Sequence, residues 1–161
     1  MTNRERRLEG AGDSSEQGRF PALQGEPTSL PLEGFELLEI WLSGQVFLIA
    51  YGDSPAGTRA SGLPLPPRTQ IALGGAFEYR SSKGETHLLS GDERWVRLAP
   101  LLELQHARFT AARVGALGYL TLTFDNGSEI RAGPELDFES WTVSGPGNLD
   151  LFCLPGGPVA R

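Results

Sequence analysis

Residues 115–157 read GALGYLTLTFDNGSEIRAGPELDFESWTVSGPGNLDLFCLPGG, and their spacing decides the fold class. Leu120, Leu122 and Phe124 alternate with Thr121 and Thr123, so an extended chain sets the apolar side chains on one face and the hydroxyls on the other. Asp125-Asn126-Gly127 follows, and because Asn and Gly tolerate the positive φ of a tight hairpin, the chain is predicted to reverse there. Ser128–Ala132 then returns. Beyond Gly133-Pro134 a third strand is predicted over Phe138–Val143, and a fourth over Leu149–Leu154 after Gly145-Pro146-Gly147. The stretch reads as a β-meander.

Upstream, Phe35–Leu42 and Val46–Tyr51 flank Ser43-Gly44-Gln45 and predict a first hairpin. Short strands are predicted over Thr58–Leu65, Arg68–Leu73, Ala76–Arg80 and Glu85–Leu89, and a further one over Gln105–Val114 leads into the meander. One helix is predicted from Asp92 to Leu104. Asp92 stands where an N-cap would be, and Trp95, Leu98, Leu101 and Leu102 recur at spacings of three and four. Pro100 either ends that helix near Leu98 or opens a second turn.

The fold class expected is therefore α+β, mostly β: a single domain over residues 34–161 in which an antiparallel, strongly bent sheet or partial barrel carries one helix. Its 21 glycines and 12 prolines suit short strands and tight turns better than a helical bundle. Residues 1–33 read as a flexible N-terminal arm, since Leu8, Phe20, Leu23, Leu30 and Leu32 are few against a backbone ordering cost of ~1–2 kcal/mol per residue. A start placed upstream of the domain accounts for them equally well.

A length of 161 residues suits one core. The net charge is −6, and the 6 acidic and 2 basic side chains of residues 115–161 supply −4 of it. This balance argues against a nucleic-acid partner and leaves basic partners open. Cys153 is the single cysteine, so no intrachain disulfide can form and a reducing cytoplasm fits best. No segment approaches the ~20 apolar residues of a membrane span, and the N-terminus lacks the apolar run of a secretory signal.

No motif names a reaction. His87 and His106 lack the paired spacing of metal ligands and read as exposed or hydrogen-bonded structural histidines, so no metal and no cofactor is expected. Cys153, between Phe152 and Leu154, reads as a buried inert thiol. A nucleophile elbow is missing, and Gly145-Pro146-Gly147-Asn148-Leu149-Asp150 lacks both the third glycine and the following helix of a dinucleotide fingerprint. No catalytic residue is assigned.

The partner-binding candidates are Glu135, Asp137, Glu139 and Trp141. In an extended chain these four project to one side while Leu136 and Phe138 project to the other, which makes an acidic stripe ending in an indole. The plainer account is a solvated strand face with Trp141 under a loop, because charge runs mostly face water. The sharper account is a docking surface for a basic protein, with carboxylates steering encounter and the indole as anchor. Acid/base or Mg²⁺ chemistry would need a pocket that an exposed strand does not supply.

At these same residues the chain resembles a family of small bacterial domains of unknown function. The resemblance lies in Gly118-Tyr119-Leu120-Thr121-Leu122-Thr123-Phe124-Asp125-Asn126-Gly127-Ser128, in Phe138-Glu139-Ser140-Trp141-Thr142-Val143 with Gly145, and in Cys153-Leu154-Pro155-Gly156-Gly157. These match a G-x-L-x-L-x-F-x-[DN]-G hairpin, a [FY]-E-x-W strand and a closing P-G-G. The resemblance covers the C-terminal third firmly and the rest from about Gly34 loosely, and it carries over no catalytic residue. Members are similar in size and character to toxin-immunity proteins, which implies a non-catalytic cytoplasmic protein that neutralises a basic, toxin-like partner. The alternative is a small-molecule-binding or enzymatic β-barrel whose pocket is lined by Gly74-Gly75, Phe77, Tyr79 and Tyr119. A homodimer through a sheet edge is a further expectation.

Overall fold

The computed structural model describes residues 27–53, 57–58 and 64–161. In chain order the strands are β1 (Thr28–Ser29), β2 (Glu36–Leu42), β3 (Val46–Tyr51), β4 (Gly57–Thr58), β5 (Pro64–Leu65), β6 (Arg68–Leu73), β7 (Phe77–Arg80) and β8 (Thr86–Leu89). Helix α1 (Trp95–Leu98) and a 3₁₀ segment (Ala99–Leu104) follow. Strands β9 (Phe109–Val114), β10 (Leu120–Phe124), β11 (Glu129–Ala132), β12 (Trp141–Gly145), β13 (Leu149–Cys153) and β14 (Val159–Ala160) complete the chain.

Two six-stranded antiparallel sheets pack on one another, ordered β1-β9-β10-β11-β7-β8 and β14-β13-β12-β6-β3-β2. The mostly β, single-core expectation is met, in the form of two stacked sheets with no closed barrel. Alternation explains the core. Leu120, Leu122, Ile130, Ala132, Phe77 and Tyr79 turn inward from the first sheet, and Leu37, Leu48, Ile71, Leu73, Trp141 and Val143 from the second. At one corner the sheets are stitched together, because Leu37 N–H donates to Ala107 O, His106 N–H to Leu37 O and Phe109 N–H to Phe35 O. Arg108 adds side-chain bonds there to Gly34 O, Glu36 and Asp53.

Three expectations change. The body starts before Gly34: β1 pairs with β9, and Leu30 and Leu32 are buried in the core. The remainder of the proposed arm, residues 1–26, lies outside the described residues. The predicted helix is half 3₁₀, with Pro100 in its first turn, and its N-cap position is held by Arg94 while Asp92 instead accepts a hydrogen bond from Ser90. At three residues per turn the buried set becomes Leu98, Leu101 and Leu104, so Leu102 faces outward; Trp95, at the start of the α-helical turn, is exposed as well. Finally, the meander is divided. Strands β10 and β11 form a hairpin in one sheet and β12 and β13 a hairpin in the other, so residues 133–140 cross between sheets. A crossing segment has no ladder partner, and the third predicted strand begins at Trp141 rather than Phe138.

Candidate functional site

The crossover is where the sequence placed its candidate site, and its geometry starts from what holds its ends. Glu135 accepts the Ala76 N–H on Oε1 at 3.2 Å and the Gly156 N–H on its carbonyl at 2.7 Å. Ser140 O accepts the N–H groups of Gly74 and Gly75, and Ser140 N–H donates to Cys153 O. Between these ties Leu136-Asp137-Phe138 is a bend, with Leu136 83 % exposed and Phe138 47 % exposed. Asp137 and Glu139 are exposed as well. The result is a loop fixed at both ends that offers two apolar side chains and two carboxylates to solvent.

The one-sided ribbon of three acids and an indole is therefore corrected. Glu135 is half-buried against Gly75, where its carboxyl ties two loops together. Trp141 is only 1 % exposed, and its Nε1–H donates to Gly118 O at 2.8 Å. The stripe required regular extension through residues 135–141, and the passage between sheets removes it. Asp137 and Glu139 remain together on the exposed loop; Trp141 is buried just beyond its end.

Around Trp141 the three parts of the sequence motif meet. Gly118, with φ +79°, receives the indole hydrogen bond; a methyl group there would strike the Gly157 carbonyl oxygen and come within 2.8 Å of Cys153 Sγ. At Gly157, with φ +107°, a Cβ would lie 2.7 Å from Leu117 O, so it too has no room for a side chain. Burial pushes the Cys153 thiol up from its ordinary range, which keeps it protonated and unreactive. These residues form a structural knot.

The other polar clusters also read as ties. The buried Tyr79 hydroxyl hydrogen-bonds Glu103, which also accepts from the Ser82 N–H and hydroxyl, so the 3₁₀ segment is fastened to β7. Burial, and then the neighbouring carboxylate, raise the Tyr79 hydroxyl well above its ordinary range. Burial alone would raise Glu103, yet the bonds from Tyr79 and Ser82 outweigh it and hold that carboxyl below the ordinary range. His106, with φ +69°, bonds Glu36 through Nδ1 at 2.9 Å, and His87 stacks beside Tyr79. Among the described residues no group of three or more His, Cys, Asp and Glu side chains is placed to hold a metal, and no helix is long and apolar enough to cross a membrane.

The three aromatic side chains of the pocket alternative do not converge. Phe77 and Tyr79 lie in the filled core, whereas Tyr119 is outside, beside an open hollow of about 210 Å³ shared with Glu78, Arg131 and Gly133. What the sequence reading missed is the crossover itself. Pro134 and the two apolar residues among acids were the available signals.

With this geometry in place, comparison of sequences adds one finding: residues 29–161 match the profile of DUF6188. The chain belongs to this family of unknown function. Neither the curated proteins nor the solved structures contain a match. The DUF6188 match begins at the second residue of β1, so the segment it covers is the two-sheet body itself.

Proposed function

We propose that this chain is a non-catalytic protein-binding domain that captures a basic partner, in the manner of bacterial immunity proteins that sequester cytoplasmic toxins. The observation that carries the reading is the fixed crossover loop, where exposed Leu136 and Phe138 alternate with exposed Asp137 and Glu139. Apolar side chains on a bend tied at both ends are held ready for burial by a partner, at little further ordering cost. The flanking carboxylates select for positive charge and speed encounter with it. The overall charge of −6 acts in the same direction. A small-molecule or enzymatic role has less support, because the hollow beside Tyr119 is open and, at about 210 Å³, smaller than the few hundred Å³ common for ligand pockets.

Affinity purification of the tagged chain from its native cell tests the proposal against a variant carrying Leu136→Ser, Asp137→Lys, Phe138→Ser and Glu139→Lys. Glu135 and Trp141 stay unchanged because they hold the fold. The wild type should retain a basic protein in a salt-sensitive complex that the variant loses, with the thermal transition unmoved. Equal retention by both chains, or a retained partner that is acidic, would end the reading.

A further inference from the structure

The pairing along β2 stops partway. Its outer edge is bonded to residues 106–109 through Phe35 and Leu37, and from Leu38 to Leu42 no backbone group bonds outward among the described residues. A register shift at Leu37/Glu39 turns the strand away, leaving a hollow of about 310 Å³ against Leu102 and Gln105. The other three edges of the two six-stranded sheets are strands of two, four and two residues, whereas β2 has seven. Short edges protect themselves; long ones usually need Lys, Pro, an inward charge or a bulge, and beyond its register shift at Leu37/Glu39 β2 pairs regularly from Glu39 to Leu42 with neither Lys nor Pro. Its acids are already engaged, Glu36 by His106 and Arg108, and Glu39 by the Trp41 indole and the Tyr51 hydroxyl.

We infer that this edge pairs antiparallel with the same edge of a second copy, giving a two-fold dimer with one sheet continuous across it. Three features select a copy of this chain over another occupant. An antiparallel edge is its own complement about a two-fold axis, so one open strand satisfies the other. With its carboxylates engaged internally the strip offers a charged partner nothing to recognise, unlike the crossover loop. The register also sets Phe152, Thr142, Ala72, Phe47 and Trp41 in one outward row that ends at the edge with Trp41 57 % exposed, while Leu42, on the opposite face beside Val46, is 44 % exposed. A second copy continues that row and covers its end.

Sedimentation equilibrium of the full chain tests the inference, with Trp41→Lys combined with Leu42→Lys as the variant. The wild type should sediment as a dimer, and facing lysines should weaken association by ~100-fold or more while the thermal transition holds. A wild type that remains monomeric at every concentration overturns the inference, as does a variant that stays dimeric. A monomer that instead takes up an unrelated strand-forming peptide at this edge also overturns it. The same variant should still retain the basic partner, so a failure here is separable from a failure of the crossover-loop reading.

Discussion

Phe138 and Trp141 stand three residues apart and live in different worlds. Trp141 is buried, and its one polar atom bonds Gly118 O, beside which Cys153 and Gly157 pack. Phe138 is half in water on a bend whose ends are tied. Ser140 divides them, its backbone bonded to Gly74, Gly75 and Cys153. The difference teaches that residues forming one compact motif in sequence can split their duties. One side fixes the backbone and the other is free to present side chains, because strain and contact on the buried side do not depend on what the exposed side carries.

The largest break in that contrast should come from the buried side. Trp141→Ala is expected to lower unfolding free energy by about 3–5 kcal/mol, through lost burial and the cavity left behind. Urea denaturation measures it. Trp141→Phe keeps most of the volume but orphans the Gly118 carbonyl, and should cost about 1–3 kcal/mol. Near-native stability in the alanine variant would mean the knot is not what positions the crossover.

Carboxylates divide the same way, which yields a pH prediction of intermediate size. Glu103 is held below its ordinary range by Tyr79 and Ser82, so its folded value lies under its unfolded one. Its bonds therefore contribute stability above the unfolded Glu range, and that contribution is lost as pH falls through the folded value. Glu103→Gln should flatten the acid side of a plot of melting temperature against pH. Asp137 and Glu139 lie exposed on the crossover loop, so Asp137→Asn with Glu139→Gln should change the unfolding free energy by no more than about 0.5 kcal/mol.

The same contrast explains what was legible in the sequence. Strands β3, β6 and β10 were readable to the residue, since Leu120, Leu122 and Phe124 are inward for the reason their alternation implied. The turn after β10 was readable from its chemistry: Gly127 takes φ +87° and the Asn126 side chain accepts the Ser128 N–H. The crossover was not. Glu135 to Trp141 alternates as faithfully as any strand, but alternation says nothing about which sheet a segment will join, and a passage between two sheets leaves it unpaired. The helix misled for a related reason, because spacings of three and four fit an α-helix while the 3₁₀ turns after Pro100 keep only the spacing of three. Asp137 and Glu139 were placed together on a surface; Trp141 was drawn into that set only by extending a strand that does not exist there.

The smallest effect expected is also the one that gives the contrast its meaning. Leu136→Ser and Phe138→Ser remove apolar side chains from a bend whose shape is set elsewhere, by the Glu135 carboxyl on Ala76 and by Ser140 on Gly74 and Gly75. Exposed substitutions away from caps and buried polar ties usually fall within about 0.5 kcal/mol, so chemical denaturation should barely register either change. Phe138 is the sterner case, being half-covered. If its replacement costs as much as a core truncation, the ring is part of the packing and the loop has lost an anchor it was thought to offer. If the cost is negligible, an aromatic and a leucine stand in water without any return to the fold, and both are free for the partner capture proposed above.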